Sequence, residues 1–400
     1  MARTLVIYCK VHQPLPLRLP ATEVPPKARP GDLEHCLFNL PEAEHAFREV
    51  VAPSYRPALD ALNSLAEQGI SLSVGVSSGF LRLAGRWAPS LLAPMQSLMC
   101  QPNVEAVCEE PTDGLLSSFD IAEFMCQMGE ACTAIEALGG ARVVAAEVNG
   151  FSLSKAVYHA LARLGFNVVL AETAHDTPRG HQPGYPARWG EGPVVLHRLR
   201  WLSEEFAYRL RGGPPEPERM ADTVTAVPGE VAVLTFDLDA LALGGRGVAH
   251  GAAVIASLAA ACEARHVDLL TTSPARERAL PHVVDEPPPT LTTGMGIAVE
   301  RFGRDGWWER LLFGRMQRAH QMIRLIEDAG IRDVGVWLLQ RANLELPGWA
   351  AEEAARPATY RSSHWWEQPR SHDETATQVL AAYDNFIRAA DSYVERGQPA

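Results

Sequence analysis

The sequence predicts an α/β fold: a barrel of parallel strands followed by a helical segment. Three observations carry that prediction. Short apolar runs alternate with longer helical patterns as far as Thr272, and strands that alternate with helices form parallel βαβ units. The runs are continuously apolar rather than alternating, so both of their faces are buried. The rhythm then stops at Asp285-Glu-Pro-Pro-Pro-Thr290, where three prolines hold an extended chain.

The strand-like runs, in order, are residues 5–11, 70–76, 104–108, 143–148, 168–171, 194–199, 231–236 and 267–270. Helix-like stretches lie between them at 46–66, 80–98, 121–138, 155–164 and 248–264. Seven or eight such units favour a closed barrel over an open sheet. A proline-rich stretch at 20–30 follows the first strand and reads as a long loop at the barrel rim. Beyond the second proline-rich stretch the patterns are helical, at 307–329 and 377–396. The expected organisation is a barrel domain over residues 1–284 and a C-terminal helical domain over 291–400.

Composition narrows the function. A net charge of −12 argues against a nucleic-acid partner, which requires a basic patch or stripe. No window reaches the roughly 18 apolar residues of a membrane span, and the first residues run straight into a strand pattern rather than a secretory signal. Seven cysteines occur without a Cys-x-x-Cys, mostly inside apolar runs. A reduced, cytoplasmic compartment is the expectation.

Two carboxylates end two of the apolar runs: Glu147 in Arg142-Val-Val-Ala-Ala-Glu147 and Asp237 in Val231-Ala-Val-Leu-Thr-Phe-Asp237. Strand ends that deliver acids to one rim are how a β/α barrel builds an active site. Two facing carboxylates are the minimum equipment for cleaving a glycosidic bond. A charge directly after small apolar residues, as at Glu147, is costly unless paired or functional. Asp239 follows Asp237 two positions later, on the same face. Such a pair pushes one carboxyl upward, as a general acid requires.

His12 and Gln13 stand at the end of the first strand, where both can hydrogen-bond sugar hydroxyls. Glu105, Glu109 and Glu110 cluster at the third strand, and Trp201 with Glu204 and Glu205 follows the sixth. Trp201 is a candidate stacking platform, as are the pairs Trp307-Trp308 and Trp365-Trp366, the latter beside His364. Gly75-Val-Ser77-Ser-Gly79 fits a nucleophile elbow between strand and helix. It reads better as a small-residue turn, because nothing in the sequence sets a His beside Ser77. No His-x-x-x-His or His-x-x-His metal pair, Gly-x-Gly-x-x-Gly or phosphate-binding loop occurs.

Together these residues resemble glycoside hydrolase family 57, in its α-amylase-type branch. The resemblance rests on His12-Gln13-Pro14, Ser54-Tyr55-Arg-Pro57, Val104-Glu105 through Glu109, and Glu147 with Leu170-Ala-Glu172 downstream. It continues through Trp201–Arg209, Phe236-Asp-Leu-Asp239 and Ser363-His364-Trp365-Trp366. It implies a distorted, TIM-like (β/α)7 barrel with a C-terminal helical domain, acting on α-glucans or maltooligosaccharides with retention, without a metal or other cofactor. Glu147 is then the nucleophile and Asp237 the acid/base, with carboxyls roughly 5–5.5 Å apart. His12, Gln13, Glu109, Trp201, Asp239, His364 and Trp365 are the expected substrate-binding residues.

The chain departs from the family pattern at Val144-Ala-Ala146, at Leu241-Ala-Leu-Gly244 and at Asp113, where the family carries polar groups. These departures leave two readings open. One is a retaining hydrolase or transglycosylase. The other is a catalytically impaired homologue that binds glucan or serves inside a polysaccharide-metabolism complex.

Overall fold

A computed structural model describes residues 2–13, 15, 17–18, 20, 22–25, 28–111, 117, 121–148, 151, 153–172, 184–279, 281–283, 307–342 and 372–397. Seven parallel strands close into a ring: β1 (Thr4–Val11), β2 (Leu72–Val76), β3 (Val104–Cys108), β4 (Ala145–Glu147), β5 (Val168–Glu172), β6 (Val194–Arg198) and β7 (Val231–Asp237). Each pairs with the next in this order, and β7 returns to β1 with a register from Thr4↔Val231 to Lys10↔Asp237. The seam between β6 and β7 is thin: Arg198 faces Val233, and the Leu199 N–H donates to the Val233 carbonyl at 2.9 Å. The (β/α)7 expectation is met. The eighth apolar run stays outside the ring. Asp268–Leu269 pairs with Thr4 and Leu5, on the part of β1 that β2 leaves open by beginning its pairing at Tyr8.

The two-residue period of the strands sorts the barrel into layers. Leu5, Ile7, Cys9 and Val11 of β1 face outward, into the core shared with the surrounding helices. Val6 and Tyr8 face inward, where they meet Val107, Ala145, Val168, Leu170, Val194, Leu196, Val231 and Val233. Inward positions are therefore apolar through most of the barrel. Toward the C-terminal ends of six of the seven strands, the same face reads Lys10, Glu109, Glu147, Glu172, Arg198 and Asp237. That switch from apolar filling to charge occurs at the C-terminal rim, where barrels of this type carry their chemistry.

Helices fill the crossovers. Ser77 caps helix Ser78–Trp87 by accepting from the Phe80 N–H, and Ser154 caps Lys155–Leu164, which ends on Gly165 at φ 86°. Two expected single helices are interrupted. Residues 46–66 comprise the end of Leu40–Ala46, a π-helical turn Phe47–Val51 and helix Ala52–Glu67. Residues 80–98 break at Pro89, whose missing N–H starts a 3-10 turn before Leu92–Met99. Helices Arg200–Leu210 and Pro217–Ala226 complete the β6–β7 crossover.

The C-terminal region forms helices Trp307–Leu325, Ala329–Ala342 and His372–Gly397. Met316, Ile323, Leu338, Tyr383 and Phe386 join the same buried core as the helices around the barrel. The Asn385 side chain donates to the Thr22 carbonyl at 2.8 Å, which ties the last helix to the stretch after β1. The expected domain boundary between 284 and 291 lies outside the described residues. All seven cysteines are free thiols. Among the described residues no helix is long and apolar enough to cross a membrane.

Candidate active site

Glu147 ends β4 on the inward face and is fully buried. Lys10 Nζ donates to its Oε2 at 3.1 Å, and the Tyr8 hydroxyl lies 3.4 Å from the same oxygen. Tyr8 also donates a short hydrogen bond to Glu109 Oε1. Burial, then the charges of Glu109 and Glu147, hold the Tyr8 phenol well above its ordinary value, so it stays protonated as a donor. Gly75 makes this cluster possible. A Cβ at that inward position of β2 would collide with Glu109 Oε1 and the Tyr8 hydroxyl.

Asp237, the last residue of β7, is exposed and lies across the β1–β7 pairing from Lys10. Asp239 does not continue on its face. The strand ends at Asp237, and Asp239 sits in the first turn of helix Leu238–Ala242, so two-residue spacing no longer keeps the two acids together. Asp239 is buried and accepts on Oδ1 from Gln13 Nε2 at 3.2 Å and from the Tyr55 hydroxyl. Asp239 is pushed up to about 7. Burial is the leading cause. The Asp237 charge adds to it, while the Tyr55 hydrogen bond, the Arg211 charge and the Gln13 hydrogen bond oppose it.

His12 and Gln13 leave β1 at the rim and are both buried. His12 Nδ1 shares a hydrogen bond of 2.8 Å with Ser77 Oγ. A His does stand beside Ser77, which the sequence alone did not reveal. Ser77 is nevertheless fully buried and already caps its helix, so the small-residue turn is the role that its environment describes.

A pocket of about 120 Å³ opens at this rim, with Tyr8, Lys10, Phe151, Arg198, Glu204 and Asp237 in its wall. Glu147 lies beneath the wall, in contact with Tyr8 and Lys10. Phe151 holds a left-handed backbone, φ 56°, which is costly for an aromatic residue and is found where surrounding structure enforces it. Its ring packs edge-on against Tyr8 at 6.2 Å, and the Arg198 guanidinium lies 4.4 Å above it. Arg198 also binds Glu172, which Arg200 approaches at 3.5 Å.

The structure thus brings Glu147, Glu109 and Asp237 to one rim, with His12, Gln13 and Asp239 packed at its edge. Trp201, 52% exposed in the first turn of Arg200–Leu210, is not part of the pocket wall. His364, Trp365, Trp366 and Asp113 lie outside the described residues. Sequence reasoning overlooked Lys10, Tyr8, Arg198 and Phe151. For Lys10 a signal existed: a lone cation inside an otherwise apolar strand, two positions after Tyr8. Among the described residues no group of three or more His, Cys, Asp or Glu side chains is placed to hold a metal ion.

Solved structures share this architecture. A 4-alpha-glucanotransferase from Thermococcus litoralis superposes with a TM-score of 0.60 at 15% identity, covering 89% of this chain and 61% of that one. This chain therefore spans less than two thirds of that enzyme. A GH57-type branching enzyme from Pyrococcus horikoshii gives 0.59 at 13% identity, covering 100% of this chain and 92% of the enzyme. The alpha-amylase AmyC from Thermotoga maritima gives 0.55 at 11% identity, with 99% and 97% covered. At these identities the likeness establishes the fold. No match was found among curated proteins. The sequence profile of Glycosyl hydrolase family 57 matches residues 6–282, which contain β2 to β7, all but the first two residues of β1 and both rim carboxylates, and the chain belongs to that family.

Proposed function

We propose that the protein is a retaining glycoside hydrolase or transglycosylase acting on α-glucans, with Glu147 as nucleophile and Asp237 as acid/base. The observation that carries this reading is the inward period of the strands. It sets both carboxylates at the C-terminal rim, Asp237 in the pocket wall and Glu147 against Tyr8 and Lys10 of that wall. Family membership and the glucan chemistry in the names of the similar structures support the substrate class. In this mechanism a Glu147 oxygen attacks the anomeric carbon while Asp237 protonates the departing oxygen. Asp237 then deprotonates water or an acceptor sugar, which releases Glu147.

The full burial of Glu147 beneath Lys10 and Tyr8 favours a second reading, in which the site binds glucan without turning it over. Incubation with maltooligosaccharides and separation of the products decides between them. Products longer than the substrate mean transfer, and only shorter ones mean hydrolysis. Glu147→Gln is expected to lower either rate by on the order of 10³-fold or more. If the parent protein makes no product, and Glu147→Gln binds the sugar as well as the parent does, the enzymatic reading fails.

A further inference from the structure

Lys10 is a strand residue that neither the sequence motifs nor the mechanism above requires. It lies at the last inward position of β1, in the pocket wall, with Nζ 3.1 Å from Glu147 Oε2. The side chains of the pair are 11% and 1% exposed, so water screens their interaction little. Tyr8 and Glu109 complete the cluster around the pair, and Asp237 stands opposite Lys10 in the β1–β7 register.

We propose that Lys10 sets the lifetime of the covalent glycosyl-enzyme, opposing its formation and assisting its breakdown. This rests on the retaining reading above. In the first step a Glu147 oxygen bonds to the anomeric carbon and the carbon–leaving-oxygen bond breaks, with the proton supplied by Asp237. The carboxylate becomes a neutral ester, so the ammonium loses the charge it was stabilising. In the second step water or an acceptor hydroxyl bonds to the same carbon and gives its proton to Asp237. The ester bond breaks with its electron pair returning to Glu147, and negative charge reappears beside Lys10. A fixed cation therefore stabilises the state before the first step and the product of the second. Lys10 acts through Glu147 and is a positioning residue. A purely structural lysine would slow both steps together and leave their ratio unchanged.

The test uses α-maltosyl fluoride, with fluoride release measured alongside intact-protein mass across mildly acidic to mildly alkaline buffer. The parent is expected to release fluoride in a Glu147-dependent way without accumulating an adduct. Lys10→Gln keeps a hydrogen-bond donor but removes the charge, and is expected to raise the steady-state adduct about tenfold, the difference between a charged and a neutral donor. Lys10→Arg restores the charge and is expected to resemble the parent. If Lys10→Gln does not fold, Lys10→Met, which retains the apolar stem, takes its place. A folded, active Lys10→Gln or Lys10→Met with no more adduct than the parent overturns the proposal. Fluoride release that is undiminished in Glu147→Gln overturns the retaining reading instead.

Discussion

Replacing Asp239 by Asn is expected to change how the stability of the chain depends on pH. The carboxyl is 5% exposed, and burial is the main reason that it rises from 3.8 to about 7. At about 1.4 kcal/mol per pH unit, that rise corresponds to about 4 kcal/mol. The folded chain keeps a proton that the unfolded chain releases. Its contribution is therefore fully present below about pH 4 and is lost as the pH rises to about 7. Asn does not titrate, and its Oδ1 can still accept from Gln13 and Tyr55. Asp239 Oδ2 is buried without a hydrogen-bond partner among the described residues, and this is where the amide nitrogen would sit. Asp239→Asn should match or fall below the parent near pH 4 and exceed it by up to about 4 kcal/mol near pH 8. Urea unfolding followed by fluorescence of the nine tryptophans measures this directly. A stability difference that stays constant across that range, or one that shifts toward the parent as the pH rises, would refute the reasoning.

Two further outcomes follow from the site. Gly75→Ala pushes a methyl into Glu109 Oε1 and the Tyr8 hydroxyl. It should lower stability by about 1–3 kcal/mol, and an unchanged thermal melt would contradict that packing. Asp237→Asn should cut turnover of maltooligosaccharides by roughly 10²–10⁴-fold while sparing much of the first-turnover fluoride release from α-maltosyl fluoride, whose leaving group needs no proton, the later turnovers being slowed because the same residue is the base of the second step. Equal losses in maltooligosaccharide turnover and in first-turnover fluoride release would remove Asp237 from the acid role.

Most of the barrel was legible because buried parallel strands carry continuous apolar runs, and 104–108 was read to the residue. Helices that interrupt themselves were not. Pro89 and the π-turn at Phe47–Val51 break patterns that hydrophobic period alone presents as single helices. The crossover helices Arg200–Leu210 and Pro217–Ala226 were missed for a related reason: charged side chains such as Arg209 mask their apolar stripe, although that arginine is itself buried against Glu205 and Glu216. At the site, Asp237 and Glu147 were visible as acids that end apolar runs. The separation of Asp239 from Asp237 was not, because it depends on the chain turning from strand to helix between them.

The sequence by itself determined the parallel barrel, the family and the two rim acids, since each is written in local patterns of apolar runs and short motifs. Only the tertiary structure decided what surrounds those acids. Tyr8 and Lys10 from β1, Gly75 from β2 and Glu109 at the end of β3 meet Glu147 of β4 through the closure of the ring. Positions 8 and 147 stand far apart in the chain, and which inward positions share a rim depends on the register between neighbouring strands. That register, set by packing across the whole barrel, is the physical reason that Lys10 reads as an ordinary strand residue in one dimension and as the partner of Glu147 in three.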